Sequence, residues 1–361
     1  MVSRLLFSNS VTPDVLKTVG SVKSGWKAPS NIAIVKYWGK RENQIPQNPS
    51  LSFSLTECFT ETTAAFAYDD NGYGLLVNGD GNHPFCEKLN DFFGKVTPFF
   101  PFLAQARVEI ETKNSFPHSV GIASSASAFA SVALCLCHVE QQLLGNEGFG
   151  SSFLQKASYI ARLGSGSASR SVFGGWQEWG HLAELPNSTN DFAIPVTPNI
   201  DPRFLGMRDA VLVVSTEPKE LLSTQGHALM VDHPFADARY AEAKLCLNAI
   251  LKTLRKGDFP KFFALCENEA LTLHALMMSS KSSPIFLKPE SLSIIAAIRN
   301  FRTTSGISVG FTIDAGPNIH LLYHEDNEVV VKAFVESVLK RYCEKEMVIY
   351  DRCGAGPERI L

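Results

Sequence analysis

The stretch Asn114–Ala130, NSFPHSVGIASSASAFA, gathers a Pro, a Gly and a crowd of small, hydroxylated residues, and runs into an apolar helical pattern through Phe129, Val132, Ala133, Leu136 and Leu144. A helix start of this kind leaves backbone N–H groups unpaired and aimed outward, with the positive end of the helix dipole behind them. Small side chains let an anion approach those donors. Ser124, Ser125 and Ser127 add hydroxyls that can cap the helix, bind phosphate oxygens or hold a metal ion. The chemistry is that of a phosphate cradle, although neither a Gly-Lys-Ser/Thr P-loop nor a Rossmann Gly-x-Gly-x-x-Gly spacing is present. The same residues also suit a Ser-capped helix packed tightly through its alanines.

Three further stretches bring charge. In Ala28–Lys40, APSNIAIVKYWGK, the cationic and phenolic groups Lys36, Tyr37 and Lys40 arrive at the end of a strand pattern. A regular strand would point Lys36 and Tyr37 to opposite faces, so one pocket can use both only if the backbone bends near Trp38-Gly39. Solvated lysines at a strand end are the alternative. In Ala161–Trp179, ARLGSGSASRSVFGGWQEW, Ser165, Ser167, Ser169 and Ser171 surround Arg170, a setting in which a guanidinium can grip a carboxylate or phosphate with two prongs. A Gly/Ser linker would not carry Val172, Phe173 and Trp176. Asp314 stands at the mouth of a hairpin in TIDAGPN, where it can serve a site or simply bond its own turn.

The elements that must position these groups follow from periodicity. Leu51, Phe53 and Leu55 alternate with serines in Gln47–Leu55, and Thr60–Tyr68, Gly74–Asn78 and Arg107–Lys113 continue the β character. Helical spacing marks Phe85–Phe93, the run after the serine-rich loop, and Phe153–Leu163. A Pro/Asn/Ser/Thr-rich stretch, Leu185–Pro202, suggests a domain joint near residue 190, giving domains 1–190 and 191–361. Beyond it come a strand at Ala210–Ser215, a hydroxyl-bearing turn LLSTQGH at Leu221–His227, and two apolar-striped helices. A hairpin Gly310–Ile313 and Ile319–Tyr323, an amphipathic helix Asn327–Tyr342 and a last strand Met347–Tyr350 complete an α+β pattern.

The chain has 361 residues, enough for two ordinary domains. Its 45% hydrophobic and 19% charged residues are a globular balance, and a net charge of −3 offers no nucleic-acid footprint. An anionic ligand must therefore be held by local donors. The eight cysteines and nine histidines show no paired ligand spacing, so a structural metal is not expected, and thiols in apolar helical patterns fit a reducing, cytoplasmic setting. No run reaches the ~18 apolar residues of a membrane span, and MVSRLLFSNS is too short in its apolar run for a signal peptide.

Together, APSNIAIVKYWGKR, NSFPHSVGIASSASAFA, ARLGSGSASRSVFGGW and TIDAGPN, in this order from Ala28 to Asn318, resemble the diphosphomevalonate decarboxylase family of the GHMP kinase superfamily. The resemblance implies the two-domain GHMP kinase fold with a cleft between domains, a homodimer, and ATP-dependent decarboxylation of 5-diphosphomevalonate to isopentenyl diphosphate. It implies Asp314 as the catalytic carboxylate, Lys36 beside it, and Arg170 on the substrate carboxylate. Asn31, Ser165, Ser167 and Ser223 are implied substrate contacts, with Tyr37 and Lys40 on the diphosphate. Ser119, Gly121, Ala123, Ser124, Ser125 and Ser127 are implied around the ATP phosphates, and Mg²⁺ is expected near Ser124, Ser125 and Ser127. Many bacterial members carry Arg where this chain has Thr224, and Met where it has His227. Thr donates one hydrogen bond and no charge, so a decarboxylase of monophosphorylated mevalonate stays open. A mevalonate 3-kinase and a catalytically silent binder are further alternatives, against which the joint presence of Lys36, Arg170 and Asp314 argues.

Overall fold

Alternating β-branched and aromatic residues in the first third of the chain favour long paired strands, and the computed structural model, which describes residues 11–117, 122–146, 148–217 and 223–361 (backbone alone at 223 and 224), contains them. Strand β1 (Ser21–Val35) pairs antiparallel with β2 (Ser50–Tyr68). What reads as two separate strand patterns is thus one strand, broken locally where Pro29 pairs Phe59 and Asn31 pairs Ser54. The N–H groups of Thr56, Glu57 and Cys58 in that interruption donate instead to the Asp351 carboxylate at 2.7, 2.9 and 2.8 Å. The register shift turns part of β2 out of the ladder, and a buried acid from the far end of the chain satisfies it.

The first sheet is completed by β3 (Gly74–Val77), β4 (Ala106–Asn114), β5 (Trp176–Trp179) and β6 (Ile194–Pro195). A short β11 (Glu358–Arg359) returns to pair with β1, so the chain closes on the first sheet rather than on the strand at 348–352. Helices α1 (Pro13–Val19), α2 (Pro84–Val96), α3 (Ser124–Leu143) and α4 (Ser151–Gly164) are packed with it. Helix α3 is apolar nearly all round and is buried over most of its length, as such a helix must be. Its Ser131 and Ser127 hydroxyls meet Thr62 and Thr60 of β2 at 2.7 and 2.6 Å, which fixes its height against the sheet.

The second sheet has the order β10-β7-β9-β8, from β7 (Met207–Leu212), β8 (Val309–Ile313), β9 (Ile319–His324) and β10 (Val348–Arg352). Met207, Val211 and Leu322 share a core with Leu247 and Ile250 of α6 (Ala236–Lys256), Phe262 and Phe263 of α7 (Phe259–Ser279), and Ile32 and Phe53 of the first sheet. Ala210, Phe311 and Leu321 pack instead with α8 (Pro289–Ser305) and α9 (Glu328–Phe334). Helix α8 has no counterpart among the expected elements. The expected helix Asn327–Tyr342 keeps its buried stripe but widens to a π turn at Val335–Leu339 and tightens again at Lys340–Tyr342. The expected turn LLSTQGH is also corrected: Ser223–Ala228 forms a short helix, α5, in which Gly226 abuts Trp38, where a Cβ would lie 2.5 Å from the ring. Among the described residues no helix is long and apolar enough to cross a membrane.

Candidate active site

Lys36 follows the end of β1 and Asp314 the end of β8, and these two strand ends bring their side chains together. The Lys36 Nζ donates to Asp314 Oδ1 at 2.7 Å and to the Ala33 carbonyl at 2.6 Å. Lys36 is 3% exposed and Asp314 27%, so the ammonium is buried while the carboxylate stays partly open to solvent. The turn after Asp314 is tight, with Gly316 N–H donating to the Asp314 carbonyl at 2.8 Å. The backbone bend needed near Trp38-Gly39 is present, since Gly39 has φ +85° and lies against the Tyr240 ring with no room for a Cβ.

Arg170 ends the short turn Gly166–Arg170 and is 2% exposed. Its Nη1 donates to Ser50 Oγ at 2.7 Å and its Nε to Asn31 Oδ1 at 3.3 Å. Asn31 is itself aimed by Ser171 Oγ at 2.8 Å and the Ser167 carbonyl at 3.2 Å. Among the described residues no carboxylate lies within ion-pair distance of Arg170, although the Asp314 charge acts on it across the site. Burial lowers the Arg170 pKa to about 10, and Asp314 and Tyr37 oppose that shift. Nearby Glu178 is fully buried with both carboxyl oxygens lacking a hydrogen-bond partner, and burial pushes its pKa well above the carboxylate range. Arg170 is thus a buried cation with no carboxylate in ion-pair contact, balanced only from across the site by the Asp314 and Glu178 charges. Such a group is costly unless an anion arrives.

The serine-rich segments meet at this place. Ser165 Oγ lies 3.3 Å from both Ser167 Oγ and Ser125 Oγ, which joins the Arg170 turn to the start of α3. Ala123 precedes α3 without a side-chain cap, Ser124 is half-buried and Ser125 is exposed, so the first turn presents donors and hydroxyls together. Ser127 departs from expectation: it is fully buried, with its hydroxyl bonded to Thr60 and to the Ser124 carbonyl at 3.2 Å. Two residues beyond the exposed Ser125, about 200° round the helix, it faces the sheet, and it is not suited to a phosphate or metal ion. Ser119 and Gly121 lie outside the described residues, as do the side chains of Ser223 and Thr224.

Tyr37 and Lys40 share one anchor. The Tyr37 hydroxyl donates to the Gln44 carbonyl at 3.1 Å, and Lys40 Nζ donates to Gln44 Oε1 at 3.0 Å. The Tyr37 hydroxyl must leave Gln44 before it can donate to a phosphate. Partial burial lowers the Lys40 pKa, with Lys95 adding to the effect. His227 packs its ring 4.3 Å from that of Tyr37 and accepts the Gly39 N–H at 3.0 Å through Nδ1. Burial, aided by Lys40, lowers the His227 pKa to about 3 from 6.5. The unfolded chain takes up this proton at the higher pH, so the stabilisation is fully present above 6.5 and is lost as pH falls toward 3. A His227→Gln variant, which keeps an acceptor, is expected to lose less stability than the wild type between pH 7 and pH 4 in urea titrations. Equal losses would contradict a neutral buried ring.

The structure thus brings together Lys36, Asp314, Arg170, Asn31, Ser165, Ser167 and Ser125 with Tyr37 and Lys40 alongside. Ser50 and Glu178 also belong here, and neither was expected. Ser50 lies in the alternating SLSFSL pattern, whose inward serines are the one local hint, and Glu178 in WQEW carries no signal of its own.

Comparison with known proteins places the chain in a family. Residues 28–189 match the family model described as the diphosphomevalonate decarboxylase-like N-terminal domain, and residues 210–357 match the mevalonate 5-diphosphate decarboxylase C-terminal domain. The diphosphomevalonate decarboxylase of Bos taurus is 31% identical over 331 residues, covering 86% of this chain and 78% of its own. The Candida albicans enzyme is 30% identical over 316 residues, covering 83% and 84%. Among solved structures, mevalonate diphosphate decarboxylase from Staphylococcus aureus superposes with a TM-score of 0.81 at 26% identity, covering 95% of this chain and 99% of that one. A complex of MDDEF with MVAPP, AMPPCP and magnesium gives 0.78 at 27% identity, covering 94% and 99%.

Proposed function

The chain belongs to the diphosphomevalonate decarboxylase family, and from that membership we propose how its own residues carry the ATP-dependent decarboxylation of 5-diphosphomevalonate. The substrate's tertiary 3-hydroxyl is a poor leaving group. ATP converts it to a phosphate ester, with Asp314 accepting or orienting the hydroxyl proton. Lys36, 2.7 Å from Asp314, keeps that carboxylate ionised and balances charge on the transferring phosphoryl group. The C3–O bond then breaks with its electron pair on the departing phosphate. The C1–C2 bond breaks next, its pair forming the C2=C3 double bond of isopentenyl diphosphate as carbon dioxide leaves.

Arg170 holds the carboxylate that becomes carbon dioxide, and the observation that carries this reading is its burial beside the Lys36–Asp314 pair, aimed by Ser50 and Asn31 and with no carboxylate in ion-pair contact among the described residues. Asn31, Ser165 and Ser167 orient the substrate. Tyr37 and Lys40 serve its phosphate tail, with Ser223 assigned there by motif position. Ala123, Ser124 and Ser125 at the start of α3, with Ser119 and Gly121 of the preceding loop, cradle the nucleotide phosphates. Mg²⁺ travels with the nucleotide, where it neutralises phosphate charge. Among the described residues no three His, Cys, Asp or Glu side chains gather into a metal site, whereas a nucleotide-borne Mg²⁺ requires few protein oxygens, and the Ser124 and Ser125 hydroxyls are of the hard type it accepts. We assign residues 1–190 to nucleotide binding and residues 191–361 to the unit that carries Asp314. We further propose a cytoplasmic homodimer, which sedimentation and cell fractionation test.

Gly166 lies against Tyr37, and a Cβ there would stand 2.7 Å from the ring. Gly166→Ala is therefore expected to raise the substrate KM about tenfold by displacing Tyr37, the equivalent of ~1.4 kcal/mol. An unchanged KM would remove Tyr37 from the phosphate grip. The direct test of the function supplies ATP and Mg²⁺ with diphosphomevalonate, phosphomevalonate or mevalonate and compares kcat/KM for carbon dioxide release. The diphosphate compound is expected to lead. Preference for the monophosphate would show that Thr224 and His227 have reset the phosphate count, and turnover of none would refute the reading.

A further inference from the structure

Helix α7 holds both halves of the Lys36–Asp314 pair by their backbones. Glu269 Oε1 accepts the Lys36 N–H at 2.9 Å, and five residues further along His274 Nε2 donates to the Asp314 carbonyl at 3.1 Å. Arg239 of α6 completes the grip from the side. Its Nη1 donates to Glu269 Oε2 at 2.7 Å, and its Nη2 donates both to Glu269 Oε1 and, at 3.3 Å, to the Lys36 carbonyl. Asn48 Nδ2 reaches the same carbonyl at 3.0 Å. Arg239, Glu269 and His274 are all buried, at 2%, 1% and 2% exposure.

An ion pair buried this completely is a poor way to gain stability, because apolar side chains of the same volume do as well or better. The Arg239 Nε is even left without a partner. What the pair does accomplish is geometric. Lys36 stands beyond the last ladder residue of β1, just after a register shift between Ala33 and Val35, so the sheet does not fix its backbone. A long, flexible side chain on an unfixed backbone would not hold a 2.7 Å contact to a carboxylate borne on the other sheet, and catalytic groups displaced by about an ångström lose much of their effect.

We propose that Arg239, Glu269 and His274 form a positioning unit that uses α7 as a ruler between Lys36 and Asp314 and so sets the geometry of the phosphoryl-transfer step. The proposal rests on the assignment of Lys36 and Asp314 to the reaction. Its test is the double variant Arg239→Met/Glu269→Leu in the full chain, which removes both charges without stranding either. Melting temperature, kcat, KM for ATP and the acylation rate of Lys36 by acetic anhydride, read by peptide mass spectrometry, are measured together. The melting temperature is expected to hold within a few degrees while kcat falls at least about tenfold and KM for ATP changes less than about twofold. Lys36 acylation is expected to rise at least about tenfold relative to the other lysines as the contact loosens. Arg239→Met/Glu269→Gln, which keeps an oxygen for the Lys36 N–H without stranding the Arg239 charge, is expected to stay within about threefold of wild-type kcat. A folded Glu269→Leu double variant with wild-type kcat and Lys36 acylation would overturn the proposal. So would a Glu269→Leu double variant that fails to fold, or a Glu269→Gln double variant equally impaired. If the wild type released no carbon dioxide, the functional reading would fall, while Lys36 acylation would still decide whether the grip exists.

Discussion

Replacing Asp314 by asparagine is expected to lower kcat by about a hundredfold to ten-thousandfold, the usual contribution of a positioned acid or base. The amide matches the carboxylate in shape and can still accept the Lys36 hydrogen bond now seen at 2.7 Å, so the turn at the end of β8 should persist. It cannot take up a proton or offset the ammonium. Because Lys36 is 3% exposed, its charge is poorly screened by water and the loss falls on the step where phosphoryl charge develops. The check is steady-state carbon dioxide release beside a melting curve. Wild-type turnover in a folded Asn variant would remove Asp314 from the mechanism.

Arg170→Lys carries the second large effect. Lysine keeps the charge but loses the planar fork that donates to Ser50 and Asn31 and has donors left for a carboxylate. Two charge-assisted hydrogen bonds of about 1.5–3 kcal/mol each are at stake, so kcat/KM is expected to fall at least about a hundredfold. Stability should fall far less, since no ion pair is broken: among the described residues no carboxylate lies within ion-pair distance of Arg170, and the charge itself is kept. An unchanged rate at an unchanged melting temperature would show that Arg170 does not grip the carboxylate.

The groups that the structure brings together were legible because they sit in short strings with a fixed order. KYWGK, GSGSASRS and TIDAGPN named Lys36, Arg170 and Asp314, and the alternation of β1 and β4 and the stripes of α6 and α7 were equally plain. What stayed hidden depends on contacts between residues far apart in the chain. Glu269 and His274 read as ordinary positions on an apolar-striped helix, yet they reach Lys36 and Asp314 from 233 and 40 residues away. Ser127 looks like its neighbours Ser124 and Ser125, but it lies about 200° round the helix from the exposed Ser125 and so meets Thr60 of the sheet. The single 19-residue β2 looked like two strands because its irregular middle is stabilised by Asp351, which local periodicity cannot reveal.

The central claim is that one site, built on Lys36, Asp314 and Arg170, both phosphorylates the substrate and expels its carboxylate. A single-turnover time course with excess enzyme, ATP, Mg²⁺ and diphosphomevalonate, quantifying ADP and carbon dioxide from the same samples, tests it most directly. The two products are predicted to accumulate in equal amounts to completion. ADP formed in full with no carbon dioxide would contradict the account and leave a kinase that stops at the phosphate ester.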